Sequence, residues 1–146
     1  MTINEVQDEL IDNFSMLDGD RESTIFYIME LGKKLKPLDE QFMVDENIIK
    51  GCQSKVWLKS DFKEGKVLFN ADSNTEITKG LVSMLIQVLS DRTPKEITDA
   101  ELYFIEKIGL GNFIGSQRSN GLVSMIKQIQ LDAIAYQTQT RATGVN

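Results

Sequence analysis

What restricts this chain most is a change of hydrophobic rhythm near its centre. Two short runs, Lys55-Val56-Trp57-Leu58-Lys59-Ser60 and Lys66-Val67-Leu68-Phe69-Asn70, carry β-branched and aromatic residues in the manner of strands. In most of the remaining chain the apolar residues recur at three to four positions, which is the spacing of one helix face. Glu64-Gly65 lies between the two runs, so the pattern predicts a hairpin. Strands kept apart from helices along the chain point to an α+β domain, a small antiparallel sheet packed against several helices.

The helical stretches can be placed in turn. Ile3, Val6, Leu10, Phe14 and Leu17 mark a helix over 2–17, and Asp18-Gly19-Asp20 is a turn. Ile25, Ile28 and Met29 mark a second over 22–34, with Gly32 weakening or bending its end and Pro37 stopping it. Residues 38–50 read as irregular with a short helical turn. After the hairpin, Ser73-Asn74-Thr75-Glu76 fits a capping box ahead of Ile77, Leu81, Met84, Leu85 and Val88. Thr93-Pro94-Lys95-Glu96 and Thr98-Asp99-Ala100-Glu101 are two further start signals. Gly109-Leu110-Gly111 breaks the chain, and a last helix starts at Ser116 or Ser119 and ends at Tyr136. The length of 146 residues suits one domain, read as 1–136, with 137–146 a frayed polar tail.

Composition excludes several functions. A net charge of −6 without a Lys/Arg cluster argues against nucleic-acid binding. No apolar run is long enough to span a membrane. The acidic start of the chain does not read as a signal peptide, so the cytoplasm is the expected location. One cysteine rules out an internal disulfide, and with no histidine it rules out a Cys/His zinc site, a Cys-His pair and a Ser-His-Asp triad. No metal is expected.

The one cysteine, Cys52, stands in Ile49-Lys50-Gly51-Cys52-Gln53-Ser54-Lys55, where loop meets strand. A lone cysteine is often a small buried hydrophobe. Here Gly51 permits a sharp bend, and Gln53 and Ser54 keep the thiol out of an apolar run. The thiolate is the reactive form. Exchange at sulfur is the chemistry that asks least of the surroundings, because it needs no histidine base and no oxyanion hole. Arg118 stands at the start of the last helix, where a cation is mildly unfavourable. A neighbouring carboxylate would offset it; an anion-friendly pocket would use it. Asp72, at the head of the helix after the hairpin, reads first as a cap.

Taken together, Gly51-Cys52-Gln53-Ser54, Val56-Trp57-Leu58, Leu31-Gly32, Pro37-Leu38-Asp39, Ala71-Asp72-Ser73, Lys79-Gly80-Leu81, Thr93-Pro94 and Arg118-Ser119 with Gly121-Leu122 resemble the SufE family of sulfur-acceptor proteins. The resemblance spans about residues 3–135. It implies a fold like that of IscU scaffolds. It also implies that Cys52 takes sulfane sulfur as a persulfide from a SufS-type cysteine desulfurase, raises that enzyme's turnover, and passes the sulfur toward a SufBCD-type scaffold for iron–sulfur cluster assembly. The chain itself would hold no cofactor; pyridoxal phosphate belongs to the partner. Gly51, Gln53, Ser54, Asp72 and Arg118 are the implied partner-binding or acceptor-pocket residues, and a homodimer is compatible with a carrier of this kind. The sequence departs from the family at Phe113 and Ser116, where a histidine and a proline are usual. A competing reading is a protein-binding module in which Cys52 is buried and inert. A thiol redox sensor ranks behind both, because no resolving thiol is present.

Overall fold

The computed structural model describes residues 1–143. In chain order the elements are α1 (Ile3–Ser15), α2 (Arg21–Lys33), β1 (Val56–Lys63), β2 (Lys66–Ser73), α3 (Glu76–Leu89), α4 (Pro94–Asp99), α5 (Phe104–Ile108) and α6 (Leu110–Thr143), with single 3₁₀ turns at Glu40–Phe42 and Asp45–Asn47.

The hairpin forms where expected. Glu64 and Gly65 both take positive φ, 53° and 79°, as a two-residue turn of type I′ requires. The antiparallel register runs from Lys63↔Lys66 at the turn to Val56↔Ser73 at the open end. Both strands outlast the apolar runs that predicted them. The added residues mix polar Asp61, Lys63, Asp72 and Ser73 with Phe62 and Ala71, and the cross-strand ladder carries them in strand conformation. Two strands cannot form a core alone. Val56, Leu58, Val67, Phe69 and Ala71 are buried from the sheet, and Leu81, Met84, Leu85 and Val88 from α3 join them in one core cluster. The expected α+β arrangement is the one observed.

Helices α2 and α3 approach at two glycines. A β-carbon on Gly80 would fall on the Ile28 carbonyl, and one on Gly32 would lie 2.7 Å from the Gly80 nitrogen. Gly32 is therefore a contact residue and not the bend the sequence suggested; α2 runs through it to Lys33.

Two helix starts differ from expectation. The Ser73–Glu76 capping box does not form. Ser73 completes β2 and gives its hydroxyl to the Lys55 carbonyl at 2.7 Å, while α3 begins after Thr75 without a side-chain cap. The Thr98–Glu101 signal falls at the end of α4 and its exit. The next helix, α5, is capped across the fold: the buried Gln7 side chain accepts the Phe104 N–H at 3.1 Å and donates to the Glu101 carbonyl at 3.0 Å. By contrast, Thr93 and Glu96 cap α4 reciprocally, as read from sequence.

Gly109, left-handed at φ 75°, ends α5. The last helix begins at once with Leu110 and is interrupted at Gly115 (φ 83°, ψ 170°), so the segment from Ser116 onward is the expected helix with one extra turn-and-break ahead of it. It continues past Tyr136 to Thr143. The part of the expected frayed tail beyond Thr143 lies outside the described residues. Among the described residues no helix is long and apolar enough to cross a membrane.

Candidate functional site

Cys52 sits at the middle of a short loop with a closed base. The Ile49 amide donates to the Val56 carbonyl at 2.8 Å, and Ile48 bridges Trp57 in antiparallel fashion. The chain therefore leaves and re-enters the sheet at nearly the same point. The far stem is fastened to the β2–α3 junction. Lys55 donates its amide to the Asn74 side chain at 3.0 Å, and its carbonyl accepts the Ser73 hydroxyl. Ser54 adds a hydroxyl contact to Thr75 at 3.0 Å, and Thr75 lies 2.8 Å from the buried Thr78 hydroxyl.

The tip of the loop rests on α6, and two glycines make that possible. Gly51 has φ +95°, where a side chain is strained, and a β-carbon there would run into the Ser124 hydroxyl and stand 3.2 Å from Ser124 Cβ. On the facing helix, a β-carbon at Gly121 would lie 3.4 Å from Cys52 Sγ. The thiol, half-buried, donates to the Gly121 carbonyl at 3.5 Å. Cys52, Gln53 and Ser54 line a cleft of about 90 Å³ together with Thr78, Gln117 and Arg118.

The electrostatics of this cleft are simple. Burial pushes the Cys52 thiol above its ordinary pKa, so at neutral pH the docked sulfur is protonated. Arg118 is the cation at the rim. It donates to the Ile114 carbonyl at 3.3 Å, and no carboxylate pairs with it among the described residues. For the first of the two readings weighed from sequence, the acid within reach is Glu76, which lines an adjoining groove with Arg118 without forming a salt bridge to it. Phe113, Ile77 and Met29 line the same groove. Phe113, a departure from the family pattern, thus shares that groove with the arginine.

Asp72 is placed elsewhere. Its buried carboxylate accepts the Leu38 amide at 3.2 Å and the Ser73 amide at 2.8 Å, and pairs with Lys79 at 3.3 Å. It is not among the residues that line the cysteine cleft. It holds the 38–50 segment against the head of α3, and the cleft is built on that support. Sequence reasoning singled out Gly51, Cys52, Gln53, Ser54 and Arg118, and the fold brings all five together. It missed Ser124 and the hydroxyl pair Thr75–Thr78, and it met Gly121 only as part of a motif. A glycine inside an amphipathic helix, where it costs about 1 kcal/mol against alanine, was the available signal.

Among the described residues no cluster of three or more His, Cys, Asp or Glu side chains could hold a metal ion. What the cleft offers is one thiol, one guanidinium in no salt bridge among the described residues, and the two hydroxyls of Ser54 and Thr78.

Comparison with known proteins bears on this arrangement. A family model described as "SufE: Fe-S metabolism associated domain" matches residues 8–133. A SufE-like protein of Synechocystis sp. is 41% identical over 106 residues, which cover 73% of this chain and 67% of that protein. A SufE-like protein of Rhizobium meliloti is 37% identical over 131 residues, covering 86% of this chain and 93% of that one. One from Rhizobium etli is 40% identical over 131 residues, with 86% and 88% covered. Among solved structures, the solution structure of a hypothetical protein from Thermus thermophilus superposes with a TM-score of 0.74 at 18% identity, covering 91% of this chain and 96% of that one. That likeness speaks for the fold alone.

Proposed function

Since the chain belongs to the SufE family, whose domain is associated with Fe-S metabolism, we propose that Cys52 is the acceptor of sulfane sulfur from a cysteine desulfurase of the SufS type. The observation that carries this reading is the sheltering of the single thiol in a small cleft with an unpaired guanidinium at its rim. A sulfur carrier has two needs, a nucleophilic sulfur that can be reached and protection of that sulfur from bulk oxidants.

The step balances without an external redox partner. Cys52, as thiolate, forms a bond to the terminal sulfur of a persulfide on the partner's cysteine. The partner's own S–S bond breaks, and its electron pair leaves on the partner's thiolate. Cys52 then carries the terminal sulfur, and the proton lost by its thiol goes to the partner site or to solvent. Burial disfavours the thiolate, so docking has to lower that barrier, either by bringing positive charge to the cleft or by drawing the loop off α6. Arg118 supplies a charge that is in no salt bridge among the described residues. Gly51, Gln53 and Ser54 form the acceptor pocket in this reading, and Asp72 supports it from below.

The desulfurase would hold the pyridoxal phosphate, and this chain would need none. Its turnover would rise because removal of the persulfide frees its cysteine. The sulfur would pass to a SufBCD-type scaffold in the cytoplasm. Cluster assembly on this chain itself is a poor match, since clusters need several cysteine or histidine ligands and the sequence has one cysteine and no histidine. Incubation with a SufS-type desulfurase and free cysteine, followed by intact mass measurement, tests the assignment. One added sulfur, removable by reductant and absent in Cys52→Ala, is expected. No added sulfur, or sulfur that persists in Cys52→Ala, overturns it.

A further inference from the structure

A cavity of about 650 Å³ is separate from the cysteine cleft and shares no lining residue with it. It opens between α1, α2, β2 and α3, and its volume lies in the range of small-molecule sites. Leu10, Leu31 and Phe69, all buried, form its apolar wall.

The polar groups on it are unusual for a structural gap. Ser83 is only 5% exposed, and its hydroxyl has no hydrogen-bond partner among the described residues. Mid-helix serines normally return their hydroxyl to the preceding turn, as Ser119 and Ser124 do here. No fully buried polar side-chain atom lacks a partner among the described residues, so the Ser83 hydroxyl must keep contact with the open space it lines. Lys34 and Lys36 stand at the mouth, exposed, and neither side chain is in an ion pair. One carboxylate, Glu9, also lines the cavity, so the side-chain charge there favours an anion of single charge. In a chain of net charge −6, two lysines facing one carboxylate over an apolar wall are a local excess of positive charge.

We propose that this cavity is a second binding site, for an amphipathic monocarboxylate of medium chain length. The hydrocarbon lies along Leu10, Leu31 and Phe69, the carboxylate meets Lys34 and Lys36, and Ser83 gives a hydrogen bond to a polar atom of the ligand.

Amide NMR of the full chain, titrated with sodium decanoate below its micelle concentration, tests the proposal. Saturable one-to-one shifts confined to residues around the cavity are expected. The Lys34→Glu/Lys36→Glu variant, altered only at exposed positions, should bind at least tenfold more weakly. Decyltrimethylammonium, with the same chain and opposite charge, should bind at least tenfold more weakly to the parent. Cys52→Ala should bind decanoate like the parent, which keeps this site distinct from sulfur chemistry. Shifts that do not saturate or that scatter over the surface overturn the proposal. So do equal affinity for the cationic amphiphile, an unchanged charge-reversed variant, or loss of binding in Cys52→Ala.

Discussion

Replacing Gly51 by alanine should release the cysteine loop from α6 while leaving the domain folded. The magnitude follows from two local terms. A residue with a β-carbon held at φ +95° is strained by on the order of 1–3 kcal/mol. The new methyl also collides with the Ser124 hydroxyl, which must turn away and give up its 3.2 Å bond to the Asn120 carbonyl, a loss of about 0.5–1 kcal/mol at an exposed site. Against a total of roughly 1.5–4 kcal/mol, the loop tip has one weak 3.5 Å thiol contact and the packing of a small cleft to hold it. The base is fastened by separate bonds at Ile49 and Lys55, so undocking of the tip relieves the strain without opening the sheet. A shift of about 2 kcal/mol changes an opening equilibrium by roughly 30-fold. Native reaction of Cys52 with a chromogenic disulfide should accelerate by about that factor, with the urea midpoint little changed. Gly51→Ala combined with Ser124→Ala should react more slowly than Gly51→Ala alone, because the hydroxyl collision is gone. A labelling rate within twofold of the parent, or a double variant as fast as the single one, would refute the reasoning.

The same labelling carries a pH signature. Burial raises the Cys52 pKa in the folded state, so the rate in the parent should reach its midpoint at a higher pH than free cysteine, near 8.5, and Gly51→Ala should move that midpoint down. With a raised folded pKa, the thiol's contribution to stability is intact below the unfolded pKa and is lost as pH rises through the folded one. Urea titrations should therefore show an alkaline loss of stability that Cys52→Ala lacks. Arg118→Ala should leave the unfolding free energy from urea titration within about 0.5 kcal/mol of the parent, as exposed substitutions usually do, yet slow sulfur uptake from a desulfurase about tenfold in single-turnover measurements. Gly80→Ala should lower stability by about 3 kcal/mol, read as a shifted urea midpoint, because the methyl meets the backbone of α2 at Ile28 as well as the Ile28 side chain, and the backbone cannot turn away.

How much of this was visible in the sequence depended on the range of the interactions. The stripes of α1, α3 and α6 were legible because each encodes its own buried face. The hairpin was legible because Glu64-Gly65 sits between two strand-like runs, but the strand ends were not, since Asp61 and Ser73 are held by the cross-strand ladder and carry no apolar signal. The start of α5 could not be read locally: its cap is Gln7, 97 positions away from Phe104. Ser73 looked like a cap and became a strand residue, because the Lys55 carbonyl offered its hydroxyl a better partner. At the site, Cys52 and Gly51 declared themselves through neighbouring residues, whereas the floor under them comes from Gly121, 69 positions away from Cys52. Asp72 was close to the loop in motif and turned out to brace the chain behind it.

The closed base of the cysteine loop also sets a leash. Cys52 is three residues from Ile49 and three from Lys55, and both of those are pinned. Three fully extended residues reach roughly 10 Å. However freely the tip swings, its sulfur is confined to a small sphere centred on the edge of the hairpin. A donor that keeps its own sulfur deeper than that radius must open a channel wide enough to admit the loop, or must bring its sulfur outward on a mobile arm of its own.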